Sequence, residues 1–308
     1  MTSLIEVSTH LPAQVTIHER RRDLGLSETE MRRYTRAFGL SQIAWERGGS
    51  DTDNLLAAVE KLTRLRGGEE HVRLVLRPVT VPFPPPYPRS AVRAVCEAVG
   101  LRHARAFTVT EQACAGGIGA VDVAAALLEG ESDPEAMALV LIGEKAQCRG
   151  KQNFPAMGLT GEGVAAVLVG RGGATDRILG YSCITEPVDH RLVMTEEASR
   201  RFSELYGDTV CAVVDEAIAK AGCVHDDIAL LFPHNLNRIS WVNLSSRLGI
   251  PLDRLFLDNI SRTGHCFGAD PFINLRTALD LGRLHSGDRY LMVSVGIGAT
   301  FTAMVVEH

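Results

Sequence analysis

The sequence has no long hydrophobic run, and this absence limits what the protein can be. None of its 308 residues lies in a stretch of 18 or more consecutive apolar residues, so no membrane-spanning helix is expected. The first residues lack the basic start and the long apolar core of a signal peptide, which predicts a cytoplasmic protein. The net charge is only −5, so the composition gives no general reason to expect nucleic-acid binding.

The seven cysteines include no Cys-x-x-Cys pair, and they are scattered without a short metal-ligand spacing. An odd number of scattered cysteines in a chain expected to be cytoplasmic also argues against a disulfide framework. Most of them are therefore expected to be small buried side chains. The remaining question is whether any one of them has a chemical role.

Apolar segments of strand length alternate with segments of helical character. Strand candidates are residues 72–76, 106–110, 137–142, 164–169, 228–232, 290–295 and 300–306, and helix candidates are 53–65, 89–99, 116–128, 195–221, 238–248 and 271–281. Nearly all-apolar strands separated by helices predict a layered α/β fold with helices on both faces of the sheet. Glycines in residues 170–176 mark a junction between two halves of similar outline, residues 1–172 and 173–308.

Residues 81–88 are rich in proline and interrupt this alternation. Proline excludes a helix interior or a central strand, so an extended and stiff loop is expected. The loop is either a plain surface connector or a segment that shapes a pocket entrance or a dimer contact.

Cys114 lies where a predicted strand turns into a predicted helix. The helix opens with Gly116, Gly117 and Gly119, which are poor helix formers and indicate that another group approaches the backbone closely. A cysteine at a helix N-terminus lies near the positive end of the helix dipole, which favours the thiolate, and its amide is available for an oxyanion hole. The alternative is a cysteine that only packs in a close helix–strand contact.

Two distant histidines have unusual settings. His234 follows the apolar strand 228–232. Asn235 and Asn237 are placed to cap the next helix and to orient the His234 ring. His265 lies in a glycine-flanked loop before an apolar helix. Strand ends and the loops after them are where α/β proteins place their sites, so each histidine is either catalytic or structural.

These segments, in this order, resemble the thiolase superfamily and specifically β-ketoacyl-acyl-carrier-protein synthase III. The resemblance covers most of the chain and is carried by the nucleophile segment 112–117, the glycine-acid-glycine stretch 159–167, the Pro-His-x-x-Asn motif 233–237, Gly264-His265, the segment 282–288 and the glycine turn 296–298. It implies a five-layered αβαβα fold of two similar halves, and a homodimer.

The resemblance also assigns roles to individual residues. Cys114 is the implied nucleophile in the first half, and His234 and His265 are the implied donors in the second. The amides of Cys114 and Ile297 form the implied oxyanion hole. Asn237 and Gly298 are implied supporting residues, and Tyr87 is placed where the family has an aromatic residue that reaches the partner's acyl tunnel.

Three features depart from the family pattern. His265 replaces the family's asparagine, and a Cys-His-His set is the pattern of elongating ketosynthases. The tryptophan used near coenzyme A is not evident, and only Arg36 is retained in that region, which makes a carrier-protein-borne acyl donor more plausible. The region between residues 170 and 227 is short, so an acyl pocket of different size is expected.

The implied activity is acyl transfer from a thioester, on coenzyme A or acyl carrier protein, to Cys114. Decarboxylative condensation with a malonyl-type thioester follows, without a metal or redox cofactor, in fatty-acid-like or polyketide-type metabolism. One alternative is transfer of the acyl group to an alcohol, amine or thiol without condensation. Another is a non-catalytic partner subunit, against which the retention of Cys114, His234 and His265 argues.

Overall fold

The computed structural model describes residues 2–80, 90–154, 157–189 and 194–308. The strands are β1 (Thr2–His10), β2 (Gln14–Thr16), β3 (Gln42–Ala44), β4 (Val72–Pro78), β5 (Arg105–Val109), β6 (Met137–Ile142), β7 (Asn153–Phe154), β8 (Gly158–Leu159), β9 (Val164–Arg171), β10 (Arg177–Thr185), β11 (Ile228–Pro233), β12 (Arg289–Gly296) and β13 (Thr300–Glu307). The α-helices are α1 (Ile17–Leu24), α2 (Glu28–Arg32), α3 (Asp51–Val59), α4 (Ala91–Ala98), α5 (Gly116–Glu129), α6 (Arg149–Gln152), α7 (Glu196–Lys220), α8 (Arg238–Leu248), α9 (Ile260–Thr263) and α10 (Asp270–Asp280).

Nine strands form a continuous sheet in the order β11-β12-β13-β10-β1-β9-β6-β4-β5. The pairs β4–β5, β4–β6 and β11–β12 are parallel, and the other neighbours are antiparallel. The boundary between the halves of the sheet lies between β1 and β10. Strand β1 and the strands beyond it, β9, β6, β4 and β5, come from the first half of the chain, and β10 and the strands beyond it, β13, β12 and β11, come from the second half. The two halves are therefore joined edge to edge, while a boundary between residues 172 and 173 stays a prediction.

Helices cover both faces of each half. Side chains of α5 and α10, such as Val121 and Phe272, share one core with strands of both halves, so these two helices form the central layer. Helices α3 and α4 pack on the other face of the first half, and α7 and α8 pack on the other face of the second. The two halves of the sheet thus form two layers with α5 and α10 between them. The layers follow the order helix, sheet, helix, sheet, helix, which confirms the expected αβαβα architecture.

Most predicted elements are present, and two bounds, 137–142 and 238–248, coincide with β6 and α8. The predicted helix 53–65 is wrong at its end, because α3 stops at Val59 and turns follow. Strands β1 and β10 were not predicted, although β1 is central. Polar residues interrupt the apolar pattern of β1, so the sequence did not indicate a buried strand. Their hydrogen-bond partners lie in other segments: Ser8 donates to the carbonyl of Ala58, and Glu6 accepts the amide of Thr63.

Tyr87 and the rest of the proline-rich segment 81–88 lie outside the described residues, so their predicted role stays a prediction. In the part of the chain that is described, no helix combines the length and the apolar character needed to cross a membrane.

Candidate active site

Cys114 lies in a short 3-10 turn, Ala113–Ala115, between β5 and α5. The α-helix itself begins at Gly116, as predicted, so Cys114 lies two residues before the first helical residue. Ala113 has a φ of 46°, which is uncommon for a residue other than glycine, and the Cys114 carbonyl accepts the Ser294 hydroxyl at 3.0 Å. The side chain is buried, at 4% exposure.

The glycines after Cys114 were predicted to permit a close approach, and two of them do so. A Cβ on Gly117 would lie 2.2 Å from the carbonyl oxygen of Gly268, and one on Gly119 would lie 2.1 Å from the Gln112 side-chain oxygen. Gly116 is different, because a Cβ there would meet its nearest neighbour at 3.6 Å, an ordinary contact. The backbone around Gly268 therefore rests directly on the turn that carries the cysteine.

His265 connects Cys114 to a buried carboxylate. Its Nε2 lies 3.2 Å from Cys114 Sγ, and its Nδ1 lies 2.5 Å from Asp270 Oδ2. The carboxylate also accepts the amides of Cys266 at 2.7 Å and of Asn235 at 2.6 Å, so both of its oxygens are bonded. The three side chains form a buried Cys–His–Asp chain.

Asp270 was missed by sequence reasoning. The sequence feature that could have indicated it is an acidic residue five positions after His265, at the start of α10. The short turn between the two residues brings the Asp270 carboxylate back to the His265 ring. A carboxylate is unremarkable at the first position of a helix, because it suits the helix dipole. Only the buried contact with His265 distinguishes it from an ordinary helix-terminal residue.

The charge state of His265 follows from these partners. Burial disfavours the imidazolium, but the negative charges of Asp270 and Cys114, with hydrogen bonds to both, outweigh it and raise the pKa of His265 to about 10. The imidazole is therefore a strong proton acceptor for the thiol. Its arrangement suits a thiolate–imidazolium pair, the reactive form of a nucleophilic cysteine.

His234 has the opposite character. Burial and the neighbouring His265 lower the pKa of His234 to about 3, so this ring is neutral at neutral pH. Trp241 holds it in place, with ring centroids 5.0 Å apart and its indole N–H donating to the His234 carbonyl at 2.9 Å. A neutral imidazole presents one N–H donor, which is what the predicted donor role requires, and that role stays a prediction.

The predicted supporting residues act on the backbone around the site. Asn237 caps α8 by accepting the Ser240 amide and donates to the Met157 carbonyl, as predicted for a cap, but it does not contact the His234 ring through these bonds. Asn235 is not a cap, because its side chain pairs with Asn274. The carbonyl of Gly298 accepts the Val188 amide at 3.0 Å.

Cys114, His234 and His265 open into one cavity of about 360 Å³. Residues predicted from the sequence, Ile297 and Asn237, line it as well. The other lining residues, mostly apolar and hydroxyl side chains, are Phe154, Met157, Ser199, Phe202, Ser203, Tyr206, Leu236, Ser240 and Val295. A cavity of this kind, apolar with a few converging polar groups, is typical of a small-molecule site.

Comparisons with known proteins find similar chains that share one description. Residues 218–308 match the family model of the 3-oxoacyl-[acyl-carrier-protein] synthase III C-terminal region. The β-ketoacyl-[acyl-carrier-protein] synthase III of Aquifex aeolicus is 27% identical over 262 residues, 82% of each chain. That of Roseiflexus castenholzii is 37% identical over 92 residues, which are 30% of this chain and 28% of that one. The chain is therefore similar to the β-ketoacyl-acyl-carrier-protein synthase III type of the thiolase superfamily over most of its length.

Solved structures show the same fold. The 3-oxoacyl-[acyl-carrier-protein] synthase III of Aquifex aeolicus superposes with a TM-score of 0.81 at 20% identity, over 100% of both chains. ChlB3, described as an acyltransferase, superposes with a TM-score of 0.86 at 19% identity, over 99% of this chain and 97% of that one.

Arg36, the family residue predicted to contact the acyl donor, lies on the π-helical turn Arg33–Ala37. Its side chain is exposed, as are those of Arg32 and Arg33. None of the three lines the cavity, so a contact with a carrier or with coenzyme A stays a prediction.

Proposed function

We propose that the chain takes an acyl group from a thioester onto Cys114 and then condenses it with a malonyl-type thioester. Its family is that of condensing acyltransferases of the fatty-acid or polyketide type. The observation that carries the proposal is the Cys114–His265–Asp270 chain, in which a buried sulfur lies 3.2 Å from a basic imidazole at the wall of a cavity.

The first step is acyl transfer to the cysteine. His265 Nε2 takes the proton of the Cys114 thiol, and the thiolate attacks the thioester carbonyl carbon. The amides of Cys114 and Ile297 are proposed to stabilise the tetrahedral oxyanion. The carbon–sulfur bond of the donor then breaks, the leaving thiolate takes the proton from His265, and acyl-Cys114 remains.

The second step is condensation. When a malonyl-type thioester enters, its carboxylate leaves as carbon dioxide, and the electron pair passes into an enolate. Before this step His265 takes up a proton from solvent at Nε2, as its raised pKa favours. The neutral His234 and the Nε2–H of this His265 imidazolium are then proposed to donate hydrogen bonds to the enolate oxygen. The enolate carbon attacks acyl-Cys114, and the Cys114 thiolate leaves with a β-ketoacyl thioester as product.

Replacement of Cys114 by alanine is expected to abolish acyl loading, because Cys114 supplies the only thiol among the described residues that line the cavity. Intact-protein mass spectrometry after incubation with acyl thioesters would show a mass increase in the wild type and none in Cys114→Ala. Cys183→Ala, which removes an exposed cysteine on β10, is the control and should load normally. A mass increase that survives in Cys114→Ala would contradict the proposal.

Addition of a malonyl thioester to the acyl-loaded protein is expected to release carbon dioxide and form a β-keto product in equal amounts. The measurement is labelled carbon dioxide release together with mass spectrometry of the product. Loaded protein that gives neither product would rule out condensation and leave the loading step standing.

A second candidate function is acyl transfer to an alcohol, amine or thiol. The pairing of His265 with Asp270 favours it, because after loading this base can take the proton of an incoming hydroxyl. In that case, acyl-Cys114 would be discharged by a small acceptor, and an acylated acceptor would form without carbon dioxide.

Several finer points belong to the same proposal. The acyl donor is coenzyme A or an acyl carrier protein, with the exposed Arg36 as a candidate contact. Tyr87 contributes to a partner's acyl tunnel in a homodimer, and the protein acts in the cytoplasm. If cellular product formation were unchanged in Cys114→Ala, the non-catalytic partner subunit would replace the enzyme as the proposal.

A further inference from the structure

One face of helix α7 lines the cavity. Ser199, Phe202, Ser203 and Tyr206 recur at intervals of three and four residues, so their side chains share that face, and all four line the cavity. Of these, Tyr206 alone contacts a predicted catalytic side chain through a hydrogen bond, with its hydroxyl 3.4 Å from His234 Nε2.

The Tyr206 ring is held by other aromatic rings. It meets Phe202 edge to face, with centroids 5.6 Å apart, and Phe301 at 6.2 Å. Such pairs fix the plane of a ring as well as burying it. The hydroxyl is therefore directed at the His234 edge by packing, which is the preorganisation that a catalytic donor requires.

The proton on His234 can be placed from its two nitrogens. Nδ1 is buried and has no hydrogen-bond partner among the described residues. A buried N–H without an acceptor is rarer than a buried acceptor without a donor, so the proton belongs on Nε2. Nε2–H then donates to the Tyr206 oxygen, and the phenolic proton is left free to donate to another group.

The phenol also keeps that proton. Burial raises the pKa of Tyr206, so the hydroxyl stays protonated throughout the neutral range. Among the described residues, His234 is the hydrogen-bond partner of the Tyr206 hydroxyl. The unused donor lies at the wall of the cavity that holds Cys114.

We propose that Tyr206 is a further catalytic residue, whose hydroxyl donates a hydrogen bond to the enolate oxygen of the second substrate. This inference rests on the condensation proposed above. While the second substrate is bound, His234 Nε2–H donates to the enolate oxygen instead of to Tyr206, and the Tyr206 hydroxyl donates to the same oxygen. The negative charge that develops there is then shared among these two donors and His265. The loading step does not use Tyr206, because the thioester oxyanion of that step is assigned to backbone amides.

Tyr206→Phe is the test, because it keeps the ring and removes only the hydroxyl. We expect loading of Cys114 to stay within about twofold of the wild type. We expect kcat for carbon dioxide release and product formation to fall roughly 10- to 100-fold, the range for a lost hydrogen bond to a charged oxygen. KM for the malonyl thioester should change less than kcat, because the contact is strongest in the transition state.

The matched control is Tyr290→Phe. The Tyr290 hydroxyl is also engaged within the protein, where it donates to Asp176 at 2.8 Å, but it does not line the cavity. Removing it should leave both half-reactions unchanged. Loading by Tyr206→Phe also reports on its folding in the same sample.

The outcomes separate the two proposals. A wild type that neither loads Cys114 nor releases carbon dioxide would overturn the proposed function itself. A wild type that does both, beside a Tyr206→Phe variant with unchanged kcat, would overturn only the role of Tyr206. Equal losses in loading and condensation would also overturn it, because a purely structural role would lower both.

Discussion

Replacement of Asp270 by asparagine is expected to lower the rate of acyl loading onto Cys114 by roughly 10³- to 10⁴-fold, the loss known for a comparable change in a nucleophile–histidine–aspartate triad. The carboxylate lies 2.5 Å from His265 Nδ1, so it both stabilises the imidazolium and fixes which nitrogen carries the proton of the neutral ring. With Asp270, the proton is on Nδ1, and Nε2 is free to accept the thiol proton from Cys114.

In the asparagine variant, the ring proton of His265 is expected on the other nitrogen. Its oxygen can still accept the Cys266 amide, but its amide nitrogen then faces both the Asn235 N–H and His265 Nδ1. His265 Nδ1 becomes an acceptor, the ring proton moves to Nε2, and that nitrogen can no longer take a proton from sulfur. The apposed donors also cost about 1–3 kcal/mol of stability, so the folded fraction has to be measured alongside the rate.

Two measurements check the expectation. Single-turnover loading followed by mass spectrometry gives the rate, and alkylation of Cys114 by iodoacetamide at neutral pH reports the thiolate directly. Asp280→Asn is the control, because it makes the same chemical change at the far end of α10, where Asp280 pairs with Arg276 on the surface. Unchanged alkylation and loading in Asp270→Asn would show that Cys114 does not depend on the buried carboxylate.

Replacement of Gly117 by alanine is expected to destabilise the protein by about 2–3 kcal/mol, because the added methyl has no space. Its carbon would lie 2.2 Å from the Gly268 carbonyl oxygen and 2.9 Å from the carbonyl carbon, and backbone cannot rotate away as a side chain can. Thermal unfolding should therefore begin at a lower temperature, with the midpoint lowered by roughly 3–5 °C at equal protein concentration.

The same change should also impair loading in molecules that remain folded. The turn Phe267–Ala269 lies between His265 and Asp270 in sequence, and it rests on the turn that holds Cys114. Pushing the two turns apart lengthens the distance from Cys114 Sγ to His265 Nε2, which proton transfer requires to be short.

Gly116→Ala is the matched control for this prediction. Gly116 has an ordinary helical φ of −60°, and a Cβ there would lie 3.6 Å from its nearest neighbour. Alanine at this position should raise stability by about 0.4–1 kcal/mol, since it loses less backbone entropy on folding. If both variants unfolded at the wild-type temperature, the close contact at Gly117 would not be a feature of the folded protein.

The local pattern around each nucleophilic or basic group was sufficient to mark it as a candidate, and the resemblance assigned its role. Cys114 stands at a strand-to-helix turn followed by glycines, and His234 and His265 stand at a strand end and in a glycine-flanked loop. Their order along the chain then gave the family, which the comparisons support. Strands such as β6 were equally predictable, because an unbroken apolar run leaves few alternatives to a buried strand.

Asp270 and Tyr206 lacked such a signal, for a physical reason. A carboxylate at a helix start and a tyrosine within a long amphipathic helix are both ordinary in sequence, and each acquires a role only from what it contacts. Strands β1 and β10 were hidden in the same way, because the partners of their polar residues lie in distant segments.

The sequence by itself therefore determined the αβαβα fold class and the cysteine and histidines of the candidate site. The tertiary structure decided their charge states: burial beside a carboxylate makes His265 basic, and burial without one keeps His234 neutral. Both rings are histidine in the sequence, and they differ in chemistry because the pKa of a buried ring depends on the charges and the solvent around it.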